Sequence, residues 1–111
     1  MDFLTEPLDD RSAVIRPRGR LNMVAAPRLR ALITETVESG RPTLVVDLSE
    51  TEFMDSPGLG ALVAGLKTAR QAGGDLRVAA PTAQVEMVFQ LTRLDRVLRP
   101  YPTVEGAVGA A

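Results

Sequence analysis

The chain has 111 residues, 45% of them hydrophobic, with no cysteine and no histidine. Those counts exclude disulfides and thiolate metal sites and remove the commonest general base, yet they leave enough apolar material for a core without covalent staples. Thirteen basic residues against 14 acidic ones give a net charge of -1, so no overall basic field draws the chain to nucleic acid.

At this length a single domain over residues 1–111 is expected. The apolar runs are too short to span a bilayer, and the acidic start lacks the basic lead and apolar centre of a signal peptide, so a cytoplasmic protein is expected. Phe3–Leu8 reads as a first strand, ended by Pro7 and the Asp9-Asp10 pair. Ala13–Arg18 reads as a second strand hairpinned to it, and Pro17, which has no N–H to donate, predicts an edge or a bulge there. Arg16, Arg18 and Arg20 recur at period two, with Arg28 and Arg30 not far along the chain; this basic stripe is compatible with contact to an acidic partner but reads more readily as a solvated face that discourages edge-to-edge pairing.

Residues 19–26 read as a loop. A helix opening at Pro27 follows, with Leu29, Leu32, Ile33 and Val37 on its buried side and Gly40 as its stop. Thr43–Leu48 is a continuous apolar, β-branched run, the mark of a strand covered on both faces. Residues 50–55 read as a loop. A second helix starts at Pro57, carries Leu59, Leu62, Val63 and Leu66, and ends at Gly73-Gly74. A strand at Leu76–Ala79 and a third helix with Val85, Val88 and Phe89 come next. The opposite side of that helix carries Met87, Leu91 and Leu94, which predicts contact with a terminal helix at Thr103–Ala110. Val97–Tyr101 reads as the last strand. The order β-β-α-β-α-β-α-β-α implies an α/β fold, a mostly parallel sheet of about five strands with about four helices.

Phe53-Met54-Asp55-Ser56-Pro57-Gly58-Leu59-Gly60 is the most informative stretch. Ser56 precedes the proline that opens a helix, which makes it the expected N-cap. Gly58 and Gly60 leave the first turn bare for the close approach of a partner. The positive end of the helix tolerates an anion, so a phosphate on Ser56 would change the surface charge by about 1.5 to 2 units without unfolding the domain. Taken alone, these residues describe an ordinary helix cap more readily than a switch. Of Phe53 and Met54, one is expected in the core and the other at an interface.

Val45-Val46-Asp47-Leu48-Ser49, a spacer, and Phe53-Met54-Asp55-Ser56-x-Gly58-Leu59-Gly60-x-Leu62 together resemble the signature of the STAS domain. Gly19-Arg20-Leu21-Asn22 is similar to the family's Gly-x-Leu-Asp turn. Gly73-Gly74 and Leu91-Thr92-Arg93-Leu94-Asp95 match its second half. The resemblance is strongest to free-standing bacterial anti-sigma factor antagonists. It implies a STAS fold, no cofactor, no metal and no enzymatic activity. It implies binding to a GHKL-type anti-sigma factor with serine kinase activity, release of a sigma factor, phosphorylation of Ser56 as the off-switch, and reversal by a PP2C-type phosphatase. The partner surface it implies comprises Arg20, Asn22, Met54, Asp55, Ser56, Pro57, Gly58, Leu59 and Gly60. Pro57 stands where the family commonly has Ser or Thr, and Asn22 stands where it has Asp, so the handling of Ser56 by a kinase is expected to differ. A weak homodimer is compatible with the family.

Other classes fit less well. The chain has neither a Gly-x-Ser-x-Gly elbow nor a Gly-x-x-x-x-Gly-Lys phosphate loop. Asp47 ends a strand as in a phospho-receiver, but the lone lysine, Lys67, lies in the second helix and not at the late position a receiver needs. The alternative within the family is an adaptor subunit of a lipid-transport or stress-sensing complex, with no phosphorylation cycle.

Overall fold

The computed structural model describes residues 1–109. Strand β1 (Asp2–Pro7) and strand β2 (Ser12–Leu21) form an antiparallel hairpin, with Phe3 opposite Pro17 and Thr5 opposite Ile15. Helix α1 (Ala26–Glu38) leads to β3 (Thr43–Asp47), which runs parallel to the first half of β2. Strand β4 (Thr51–Met54) runs parallel to the second half. Helix α2 (Ser56–Gln71), strand β5 (Asp75–Ala79) parallel to β3, helix α3 (Ala83–Thr92), a 3-10 turn at Leu94–Arg96 and helix α4 (Val104–Gly109) complete the chain. The sheet order is β1-β2-β3-β5, with β4 attached to β2.

The main core lies between one sheet face and α1, α2 and α3, where Ile15, Leu29, Ile33, Val46, Leu62 and Phe89 are all fully buried. The other face carries Val14, Val45 and Ala79 beneath Ala107 of α4. Strand β3 is therefore covered on both sides, as its unbroken apolar run requires. No helix among the described residues is long and apolar enough to cross a membrane.

Five strands and four helices are present among the described residues, but one strand lies elsewhere than the sequence suggests. The segment read as a loop at residues 50–55 contains β4, which is held by pairing with Gly19–Leu21 and by the Thr51 hydroxyl donating to the buried Pro17 carbonyl at 2.9 Å. Four residues are too few to show a period, and the partner strand lies some thirty positions earlier in the chain. Val97–Tyr101 is not a strand. Pro100 lacks a donor, and only Tyr101 bridges to Ala79, with its N–H donating to the Val78 carbonyl at 2.9 Å and its carbonyl accepting from Ala80.

Strand β2 runs on through Leu21 and is not an edge. In an extended strand a residue's N–H and C=O point the same way. The Pro17 carbonyl points toward β4, so its missing donor falls where β2 exchanges β3 for β4 as its neighbour. The register shift at Gly19/Arg20 lies beside that exchange. Helix α4 packs on β3 and β5 and leaves Met87 and Leu91 of α3 exposed. Ala110, included in the expected terminal helix, lies outside the described residues.

Candidate functional site

The C-terminal ends of β2 and β4 sit side by side and deliver two turns to one end of the sheet. β2 ends at Leu21, and Asn22 begins the turn into α1. The Asn22 side-chain oxygen accepts from the backbone N–H groups of Val24 (3.0 Å) and Ala25 (3.1 Å), and its carbonyl accepts from Ala25 and Ala26. A neutral amide oxygen does this as well as a carboxylate, so the turn keeps its shape with Asn in the place of Asp.

β4 ends at Met54, and α2 begins two residues later. Asp55, not Ser56, is the N-cap: it is extended (φ -109°, ψ -177°) and its Oδ1 accepts from the Gly58 N–H at 2.8 Å. Asp55 comes one residue earlier and its side chain reaches the third helical position, the usual capping geometry. Ser56 is the first residue of the helix proper. Oδ2 of Asp55 accepts from the Met23 N–H at 2.9 Å, so one carboxylate ties the two turns together. On the other flank the Gln84 amide of α3 accepts from the Met54 N–H at 2.9 Å and donates to the Met54 carbonyl at 3.1 Å. These contacts leave the exposed Ser56 hydroxyl without a hydrogen bond among the described residues.

The structure divides the predicted site residues into two groups. Ser56 and Pro57 are exposed, Asn22, Asp55 and Gly60 are half-buried, and Arg20 lies over the Phe53 ring at 4.2 Å. These share one end of the molecule. Met54 is 1% exposed and Leu59 2%, so their side chains belong to the core and do not meet a partner. Phe53 is the surface member of its pair. Gly58 is buried as well, because a Cβ there would lie 2.2 Å from the Leu21 carbonyl oxygen. The bare first turn therefore serves the chain's own close packing at Gly58, and only Gly60, with nothing nearer than an Arg30 nitrogen at 3.8 Å, presents an open gap.

Met23 and Val24 are the functional candidates that sequence reasoning missed. They are 69% and 76% exposed, and Met23 is bonded directly to the Asp55 carboxylate. Two large apolar residues between a turn-forming Asn and a helix-opening Pro were the available signal.

The arginines of β2 are not a uniformly solvated face. Arg16 Nε donates to Asp47 Oδ2 at 2.8 Å, and the Ser49 N–H donates to Oδ1 at 3.0 Å. Burial opposes ionisation of Asp47, but the Arg16 and Ser49 hydrogen bonds outweigh it and hold the carboxyl below its usual range. Hydrogen bonding to Asp47 raises the Arg16 guanidinium in turn.

The family model of the STAS domain matches residues 6–107. A Thermotoga maritima protein provisionally named anti-sigma factor antagonist is 31% identical over 100 residues, covering 89% of this chain and 88% of the relative. The crystal structure of an anti-sigma factor antagonist from Mycobacterium paratuberculosis superposes with a TM-score of 0.84 at 34% identity, over 96% of this chain and 90% of the other. The anti-sigma factor antagonist SpoIIAA is similar in its unphosphorylated form (TM-score 0.82, 26% identity, 96% and 93% covered) and, as the Bacillus protein, in its phosphorylated form (0.73, 25%, 96% and 96%).

Proposed function

Because the chain belongs to the STAS domain family, we propose that it is an anti-sigma factor antagonist that works by binding and not by catalysis. In this reading, one STAS domain in the cytoplasm docks its Ser56 end on a GHKL-type anti-sigma factor and frees the sigma factor. The partner's kinase activity then phosphorylates Ser56 and ends the interaction, and a PP2C-type phosphatase restores it. The observation that carries the reading is the division of labour between Asp55 and Ser56. Both carboxylate oxygens are engaged by backbone N–H groups, and the hydroxyl beside them stands exposed and unbonded among the described residues, between Pro57 and the turn that carries the exposed Met23 and Val24. An interface made of apolar side chains around a free hydroxyl is disrupted by a phosphate, which brings about 1.5 to 2 negative charges and a hydration shell that must be removed.

The test is affinity capture from native lysate, with wild type and Ser56→Asp as parallel baits and mass spectrometry as the readout. The expected result is that wild type retains a GHKL-type kinase, with binding at least tenfold weaker for Ser56→Asp, and that intact-mass analysis finds wild type phosphorylated on Ser56. Equal retention of a transporter ATPase or a scaffold by both baits, with no phosphate on Ser56, would overturn the reading in favour of an adaptor.

A further inference from the structure

Helix α1 brings an arginine to the face of α2 that Ser56 occupies. Ser56 and Gly60 are four residues apart and lie one above the other on that helix, roughly 5–6 Å between their Cβ positions. The missing side chain of Gly60 leaves a gap, and the Arg30 guanidinium from α1 lies over it, 3.8 Å from where a Cβ would be. Arg30 is exposed and takes part in no ion pair or hydrogen bond among the described residues. Its neighbours at i±3 and i±4 are Pro27, Ala26, Ile33 and Thr34, and the corresponding neighbours of Gly60 on α2 are Pro57, Ser56, Val63 and Ala64, so neither set contains a carboxylate. The other α1 arginine of this turn is occupied: Arg28 donates to the Met1 carbonyl at 3.2 Å and lies over Phe3 at 5.3 Å.

We propose that Arg30 is the internal counter-ion of phosphorylated Ser56, a phosphomonoester-binding side chain supplied by α1. The inference rests on the phosphorylation reading given above and assigns the residue that receives the phosphate within the antagonist itself. The guanidinium rests over Gly60, one helical turn along α2 from Ser56, and none of its five donors is engaged among the described residues. A rotamer change closes that distance, and a planar guanidinium can engage two phosphate oxygens at once. The charged groups that the contacts described above bring to this end of the molecule are Arg30 from α1, Arg20 from β2 and the Asp55 carboxylate. Arg20 is held on Phe53, and Asp55 repels the phosphate with both its oxygens already engaged, which leaves Arg30 as the mobile cation. The bridge would draw the N-terminus of α2 against α1 and close the Gly60 gap. Phosphorylation then masks part of the docking surface in addition to charging it.

The experiment uses the full chain with phosphoserine incorporated at position 56 during synthesis, in the wild-type background and with Arg30→Gln or Arg30→Lys. The second ionisation of the phosphate is followed by 31P NMR titration. The free value is about 6, and an adjacent guanidinium favours the dianion, so wild type is expected to titrate roughly half a unit or more lower than Arg30→Gln, with Arg30→Lys between them. Superimposable titrations for all three proteins would overturn the proposal. Unphosphorylated Arg30→Gln should melt with wild type, because Arg30 has no partner to lose. Since the phosphate is installed chemically, a flat titration removes Arg30's role and leaves the regulation of Ser56 standing. A Ser56 that carries no phosphate in cells removes the regulation instead.

Discussion

Asp47 and Asp55 stand eight residues apart at the ends of β3 and β4, the two strands that pair with successive halves of β2, and the two places use them differently. Asp47, at the end of β3, faces the α4 side, is nearly buried, and neutralises its charge against Arg16. Asp55, after β4, spends each oxygen on a backbone N–H, one from α2 and one from the turn after β2. The first carboxylate solves a desolvation problem. The second sets the relative position of two turns. The strand-end Asp that would suit a phospho-receiver is thus already bonded to an arginine, and the serine beside the other Asp is left free. The function proposed for this end rests on a frame built around one hydroxyl that is unbonded among the described residues.

The frame is broken most severely at Gly58. An alanine there must displace either the Leu21 carbonyl or the first turn of α2, and neither is a flexible side-chain tip. Gly58→Ala is expected to cost roughly 2–4 kcal/mol by urea denaturation, with partner binding lost along with the local geometry.

The Asp47 end responds next, and it responds to pH. Asp47→Asn leaves the Arg16 guanidinium without its anion, and because Arg16 is part-exposed the cost is set at roughly 1–3 kcal/mol, below the range for fully buried pairs. The folded-state pKa of Asp47 lies below its ordinary 3.8, so its contribution is complete above that value and is lost as pH falls through the folded pKa. The stability difference between wild type and Asp47→Asn should therefore hold constant from neutral pH down to about pH 5 and shrink below pH 3.8. A difference that grows on acidification would reverse the assignment.

The smallest effects separate the cap from the switch. Asp55→Ala removes a cap and a cross-turn bond and should cost about 1–2 kcal/mol. Ser56→Ala removes neither and should stay within ~0.5 kcal/mol of wild type. If the two costs were exchanged, Ser56 would be the cap and the reading of its free hydroxyl would fall.

Much of this was readable from local periodicity. Leu29 with Ile33, and Leu59 with Leu62 and Leu66, lie on buried helical faces at the expected spacing, and the unbroken Leu44–Asp47 run is covered on both sides. Pro57 marked the start of α2 to within one residue, since the helix opens at Ser56. The identity of the cap was not readable, because Asp-Ser-Pro offers two adjacent capping side chains and only the backbone angles choose between them.

What the sequence by itself determined is the set of elements whose pattern repeats within one helix or one strand, together with the chemical make-up of the segment around Ser56. Tertiary structure alone decided the rest. Strand β4 exists through pairing with Gly19–Leu21, Gly58 is required by the Leu21 carbonyl, Met54 is buried where Phe53 is not, and Met23 and Arg30 are carried to the rim of the Ser56 site. Each of these depends on a contact between residues roughly thirty or more positions apart. A periodicity of two or 3.6 residues records which face of its own element a side chain lies on, and holds no information about which distant backbone will meet that face.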